Sequence, residues 1–490
     1  MLLTACEAGV RPFLQRNRNL LLVLLLTACA RVLVCLLSDN TPGDADYRVV
    51  WAATWAANPS FIYAGVWLPL QTYLTGSLIL LLHDPFVAGK LLSAVTGILT
   101  AIPFYRLIER LFDQGTALIS GLFFAIYGNH IGSSAVVMTE APFALFAIWS
   151  LDVFFAELHA PAPRFRGFLW AAILMAIAGG FRQEGWQLTG ILSAYMLFKP
   201  AVRKYAVPFG LIGLSSFVMW TIGNMVAGAG PMFALLGVAR TKALEKDVIR
   251  LSVAHNIVKW LWIFVQSPGP VLSALGLSGL YLALRRRLPW ELAMVALLFI
   301  LPYIALSMVK TEWSPQHRYT LMFGLLILPY AAGAIRVFSK QRRIGAIVSS
   351  VLLLTVAAQA AAYHVHSRLY LPVYDYNSND VVAWKWLAAN VGSKDALVVE
   401  DTDWRSYGLL SHSGLYTHPF SVVYSFDPPT RLAAILSSNS HPIVMVLHSP
   451  LAKWDFIDPL NPAVVFRNGD YTILRLSSEG PRPVEDPLPR

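Results

Sequence analysis

The sequence predicts a polytopic α-helical membrane protein of about eleven transmembrane helices, with a small α/β domain outside the membrane at its C-terminal end. Three observations carry this. The chain of 490 residues is 56% hydrophobic and only 13% charged, whereas a soluble chain carries roughly a quarter charged residues. Its Lys and Arg, which give a formal net charge of +10, stand in short clusters between apolar runs, the pattern that orients membrane helices. From about residue 364 the long apolar runs stop and short helix and strand patterns alternate. Charge scattered in this way argues against a nucleic-acid partner, which needs a continuous basic face.

Residues 1–19 read as a cytoplasmic N-terminus and 20–363 as the membrane region. The stretch RNRNLLLVLLLTAC has the basic flank, apolar core and small residues of a lipoprotein signal ending at Cys29. Hydrophobicity nevertheless continues to Leu37, long enough to cross a bilayer, so 20–37 reads as a retained span. Cys6, Cys29 and Cys35 lie before or within this run and imply no disulfide framework. The remaining runs are 86–105, 116–133, 142–157, 167–181, 185–198, 205–227, 257–282, 288–309, 319–335 and 344–363. With eleven spans every basic cluster falls on one side: Arg11, Arg16 and Arg18; Arg106 and Arg110; Arg164 and Arg166; Lys199, Arg203 and Lys204; Arg285, Arg286 and Arg287; Arg336, Lys340, Arg342 and Arg343. That side is the cytoplasm. Residues 67–84 are apolar enough for a twelfth span, but counting them would turn the later clusters outward. They are therefore placed as a partly embedded helix within the outer loop 38–85.

The C-terminal segment 364–476 predicts a helix ending at Gly392, a strand at ALVVE, a helix at PPTRLAAILSS and a strand at PIVMVLH. A hairpin turning at Asn468-Gly469 follows, and the tail 477–490 reads as disordered. No internal repeat marks two duplicated halves, which weakens a secondary-transporter reading.

This topology gathers Asp44, Asp46, Glu140, Arg182, Glu184, Lys310, Glu312, His317 and Arg318 at the outer face, each near a span boundary. Charges so close to a bilayer face protein or a wet cavity, and an outer cleft is their simplest shared destination. Asp44 and Asp46 fit a general base or a metal-ligand pair, and equally a polar loop. Glu140 precedes Pro142 and suits either a site or the dipole of a helix N-terminus. The turn FRQEGW fits a ligand contact or an ion-paired connection. Arg318 offers a guanidinium to a phosphate, or is an interfacial charge. Glu400, Asp401 and Asp403 close a strand without a Gly-rich turn and read as structural. No GxSxG, Walker loop, HExxH or CxxC pair is present, so hydrolase, ATPase and redox readings lose their usual supports.

In this order the features resemble a family. The GDAD acids, the Pro69 to Tyr73 helix, the YRLIERLF basic end, the acid of MTE, an Arg-x-Glu-Gly turn, a late HRY and an outward α/β tail are similar to the GT-C glycosyltransferases. The branch is that of the protein O-mannosyltransferases and aminoarabinose transferases, glycosyltransferase family 39, over about residues 20–335. The resemblance implies an integral protein of a bacterial inner membrane and a sugar donor on a polyprenyl phosphate. It implies Asp44 as the base, although Ala45 stands where an acid is common, so the choice between Asp44 and Asp46 stays open. Glu140 matches the second-loop acid, and Arg182 and Glu184 match the RPEG turn with Gln183 in place of proline. Arg318 and Tyr319 match an RY pair, with a phosphate contact for Arg318. Lys310 and His317 are carried as further substrate-binding candidates.

The physical argument runs beside this. Nucleotide sugars are scarce outside the cytoplasm, so the donor is membrane-borne. Its phosphate is already a good leaving group, so the site needs cations for it and one carboxylate to take the acceptor's proton. A divalent cation, Mg or Mn, held by Asp44 and Glu140 is compatible with oxygen ligands, and a base-only site works without one. The acceptor, whether protein, lipid or glycan, is not fixed by the sequence. The rival reading is a lipid-linked sugar flippase or transporter. It needs polar residues through several spans, and Arg31 and Lys90 are the few candidates.

Overall fold

Helices follow the apolar runs. The computed structural model describes residues 17–37, 43–61, 67–228, 252–309, 317–339, 343–365, 377–401, 405–424, 429–438, 442–448 and 462–476. The chain divides into two compact units, one of residues 1–40, 60–74 and 86–372, the other of 41–59, 75–85 and 373–490. What the sequence did not suggest is that part of the loop 38–85 groups with the C-terminal residues.

In the first unit the helices are α1 (Arg18–Leu37), then, beyond α2 and α3, α4 (Pro85–Leu99), α5 (Ala101–Leu111), α6 (Gln114–Ala125), α7 (Gly128–Ala135), α8 (Glu140–Leu158), α9 (Phe165–Phe181) and α10 (Glu184–Leu197). There follow α11 (Ala206–Gly213), α12 (Ser215–Val226), α13 (Val253–Gln266), α14 (Pro270–Leu284), α15 (Glu291–Val309), α16 (Leu321–Phe338) and α17 (Ile344–Val365). Among the described residues five helical stretches are long and apolar enough to cross a membrane: 18–37, 85–111, 140–158, 203–226 and 317–338. Helices α13 and α14 make a sixth if they count as one span. All eleven expected runs fall on helix, but length and apolarity support five or six spans, not a count of eleven.

The run 257–282 is the clearest departure. It bends by 99° between α13 and α14, where the sequence reads Ser267-Pro268-Gly269-Pro270. Proline has no N–H for the helix ladder, and Gly269 takes φ +88°, a left-handed conformation open mainly to glycine. The apolar average across this run hid a break written in its residues. Helix α3 (Pro69–Leu82) is 14 residues long, about 21 Å at 1.5 Å per residue, which is short for a span.

Close helix packing rests on small residues. A Cβ on Gly279 of α14 would overlap the Tyr330 carbonyl of α16, so the two backbones meet directly. The core of this unit includes Phe123, Phe124, Phe154, Phe155 and Phe168, all fully buried. Arg31, a mid-span candidate for a transport path, is fully buried as well. It donates to the carbonyls of Thr27, Ala125 and Phe124 at 3.3–3.4 Å and to His130 Nδ1 at 2.8 Å. Its guanidinium carbon lies 4.6 Å from the Phe124 ring centre. These contacts tie α1 to the connection between α6 and α7 and leave the guanidinium enclosed by protein.

The second unit holds α2 (Gly43–Ala57) and the C-terminal elements: α18 (Ser378–Asn390), β1 (Ala396–Asp401), α19 (Arg405–His412), β2 (Phe420–Tyr424), α20 (Pro429–Ser438), β3 (Ile443–Leu447), β4 (Ala463–Arg467) and β5 (Thr472–Leu476). The strands form one sheet of order β2-β1-β3-β5-β4, with β1 parallel to β2 and β3 and β5 antiparallel to β3 and β4. The hairpin turns where expected, the Asn468 side chain accepting from the N–H groups of Asp470 and Tyr471 at 3.0 and 2.8 Å. Val398, Val423, Leu432, Met445 and Leu474 fill its core. Helix α19 and strand β2 were not anticipated. Segment 477–490, read as disordered, lies outside the described residues.

Candidate functional site

Asp44 and Asp46 sit in the first turn of α2, where carboxylates complement the helix dipole. The expected loop is therefore a helix start, and the two acids have different surroundings. Asp46 is fully buried and accepts a 2.8 Å hydrogen bond from Ser411 Oγ of α19. His412 Nε2 stands 3.6 Å from the same carboxylate oxygen, and burial holds the His412 imidazole below its ordinary pKa. The Tyr47 and Tyr407 rings meet edge to face at 4.7 Å beside them. Asp44 is only half-buried. Within one helical turn, one acid is sealed into α19 and the other keeps access.

In the first unit the structure brings together acids and bases from separate stretches. Arg182, which follows α9, donates Nη1 to Glu140 Oε1, and its Nε and Nη2 reach Glu184 Oε1 at 3.0 and 2.5 Å. All three side chains are buried. Glu140 begins α8 and Glu184 begins α10, so three helix ends meet at one guanidinium. Two carboxylates thus stand against Arg182, with the Arg318 guanidinium near enough to act on it. Glu140 Oε2 is buried and has no hydrogen-bond partner among the described residues, an acceptor that a substrate hydroxyl would satisfy.

The Tyr319 ring lies 5.5 Å from the Arg182 guanidinium and 5.3 Å from that of Arg318. Residues 317–320 form a short 3₁₀ turn into α16. The His317 carbonyl accepts from Asn129 at 2.8 Å and Thr320 at 2.6 Å, and its ring pairs with Gln266 at 3.2 Å. Trp260, Tyr303 and Tyr319 make an aromatic wall with ring centres 4.9–6.2 Å apart. Lys310 and Glu312 lie outside the described residues. In the second unit Glu400 accepts from the His448 N–H at 2.9 Å, the structural role expected of it, and Asp403 lies outside the described residues.

Comparisons with known proteins bear on the fold. The family described as dolichyl-phosphate-mannose-protein mannosyltransferase matches residues 68–222. ArnT from Cupriavidus metallidurans in its apo state has TM-score 0.66 at 14% identity over 98% of this chain and 100% of its own. The same protein bound to undecaprenyl phosphate has TM-score 0.66 at 14% identity over 94% and 99%. The apo oligosaccharyltransferase of Archaeoglobus fulgidus has TM-score 0.59 at 14% identity over 89% of this chain and 70% of that one. The chain shares the fold of these membrane transferases, and its residues 68–222 match the mannosyltransferase family. No curated protein sequence matches it.

A resident Mg or Mn ion can be weighed against the residues present. The Arg182 guanidinium occupies one oxygen of Glu140, which opposes a second cation there, and no three His, Cys, Asp or Glu side chains converge among the described residues. The donor set around Glu140 does not fit a divalent cation. Ser411, Tyr303, Asn129 and Gln266 are the site neighbours that sequence reading missed. Each acts across a long stretch of chain and carries no local motif.

Proposed function

We propose that the chain transfers a sugar from a polyprenyl-phosphate-linked donor to an acceptor hydroxyl at the outer face of a bacterial inner membrane. The observation that carries this is the match, over 94% of the chain, to a transferase bound to undecaprenyl phosphate. The buried Glu140–Arg182–Glu184 cluster beside Arg318 and Tyr319 supplies the polar groups that such a head group needs.

The step is a single displacement with inversion. The acceptor oxygen attacks the anomeric carbon, Asp44 takes its proton, and the bond from that carbon to the phosphate oxygen breaks with its electron pair leaving on the polyprenyl phosphate. Arg318 and Lys310 offset the charge that grows on phosphate. Asp44 is preferred to Asp46 because Ser411 and burial hold Asp46 inside the second unit. Glu140 Oε2 holds an acceptor or sugar hydroxyl. Enclosure of Arg31 by carbonyls and His130 removes one of the two mid-span candidates on which a flippase reading stood.

The test is transfer of radiolabelled sugar from a panel of polyprenyl-phosphate sugars by protein in lipid. Asp44→Asn is expected to lower kcat by roughly 10²–10⁴ with donor affinity retained, the usual worth of a positioned base, while Asp46→Asn keeps turnover. Full turnover in Asp44→Asn sinks the assignment.

A further inference from the structure

A second polar constellation lies at the other end of α16. Arg318 precedes this helix and Arg336 is in its last turn, and 18 residues at about 1.5 Å each separate the two ends by roughly 27 Å. A cavity of about 620 Å³ opens there, within the usual range for small-ligand sites. Three helix connections line it: α5 to α6, α14 to α15, and α16 to α17.

Its polar lining is built. Asp113 caps α6, accepting from the N–H groups of Gly115 and Thr116 at 2.8 and 3.0 Å. Arg336 Nη1 donates to the Asp113 carboxylate and, at 2.9 Å, to Thr116 Oγ1. This fixes the guanidinium through one nitrogen, and its Nε and Nη2 make no hydrogen bond among the described residues. Arg287 lines the same cavity and is exposed. Two arginines against one aspartate leave the lining with net positive charge, and exposed Arg286 and Arg343 adjoin lining residues in the sequence. Leu288 and Ile344 add apolar edges. A fixed guanidinium, a second, exposed one, a hydroxyl and apolar edges at a helix end match a phosphodiester that carries acyl chains.

We propose that this cavity binds the phosphodiester head group of an anionic phospholipid, at a site separate from that of the donor. Arg336 and Arg287 hold the phosphate oxygens, and Leu288 and Ile344 meet the first acyl carbons. The excess of positive charge selects against a zwitterionic lipid, whose ammonium group would face the same arginines.

The experiment reads lipid retention by native mass spectrometry and thermal stability of the full chain in phosphatidylcholine, with phosphatidylglycerol or inorganic phosphate added. Phosphatidylglycerol is expected to stay bound and raise Tm in the wild type. Arg287→Ala, at an exposed position that folding does not need, is expected to weaken retention roughly tenfold, the loss of one charge-assisted hydrogen bond. Arg203→Ala, in another basic cluster outside the cavity, is expected to leave retention unchanged. Equal loss in Arg203→Ala would reduce the effect to general surface charge and overturn the site. Equal stabilisation by inorganic phosphate alone would assign the cavity to free phosphate and overturn the lipid.

Discussion

Arg31 and Arg182 are both buried arginines of the membrane unit, and they are compensated in opposite ways. Arg31 meets backbone carbonyls, a histidine and the face of Phe124, and among the described residues no carboxylate pairs with it. Arg182 meets two carboxylates and the neighbourhood of a second arginine. The first arrangement spreads one charge over dipoles and fastens helices together. The second concentrates charges of both signs at three helix ends and leaves a carboxylate oxygen over. Burial alone therefore does not mark a functional charge; what differs is the surplus of carboxylate around Arg182.

Substitution tests this contrast, beginning with the largest effect. Arg182→Ala strands Glu140 and Glu184 in a buried setting and is expected to cost about 3–5 kcal/mol, with transfer abolished; denaturant or thermal unfolding beside the transfer assay measures both. Arg182→Lys should recover part of the stability and little turnover, because an ammonium cannot span two carboxylates as a planar fork does. If Arg182→Ala is as stable as wild type, the cluster is wetter than described and the contrast collapses.

Ser411→Ala comes next, since it asks how a buried carboxylate fares without an arginine. Loss of the bond to Asp46 is expected to cost about 1.5–3 kcal/mol in the second unit, read as a lower Tm, with kcat within a few-fold of wild type. A fall in kcat comparable to that of Asp44→Asn would return the base to Asp46.

Arg31→Met is expected to change stability by about 1 kcal/mol or less, because no carboxylate is left unpaired, and to leave turnover near wild type. Loss of activity at full stability would reopen the transport reading.

The smallest effect is a pH slope. Burial depresses the His412 pKa, so below about pH 6.5 the unfolded chain takes up a proton that the folded chain does not. Stability of the second unit is then expected to fall as pH drops from neutrality, and His412→Gln should flatten that slope in unfolding scans. An unchanged slope would mean that Asp46 already offsets the burial of the imidazole.

Much of the fold was legible because it is written locally. Apolar runs gave the helices, Asn468-Gly469 gave the hairpin, and the two-residue spacing of Arg182 and Glu184 left room for the ion pair they form beside a ligand contact. The partners of those turns were not legible. Glu140 lies 42 residues from Arg182 and Ser411 lies 365 residues from Asp46, separations over which a single sequence holds no periodic signal. The break at Ser267-Pro268-Gly269-Pro270 was legible in principle, but hydropathy averages over the residues that punctuate a helix. Helix α2 was read as part of a loop, because the residues that cover its inward face arrive from the far end of the chain.

That last feature has a consequence for how the protein is made. Residues 41–59 leave the ribosome long before most of their unit, which resumes at 373. At the usual 5–20 residues per second, roughly 20–70 s pass between synthesis of Asp46 and of Ser411. Through that interval α2 waits with its carboxylate and its Tyr47 face uncovered, while the whole of the other unit is being inserted. A chain cut short after residue 372 would therefore carry a defect near its beginning. Quality control that senses exposed apolar surface would find the lesion hundreds of residues upstream of the premature stop.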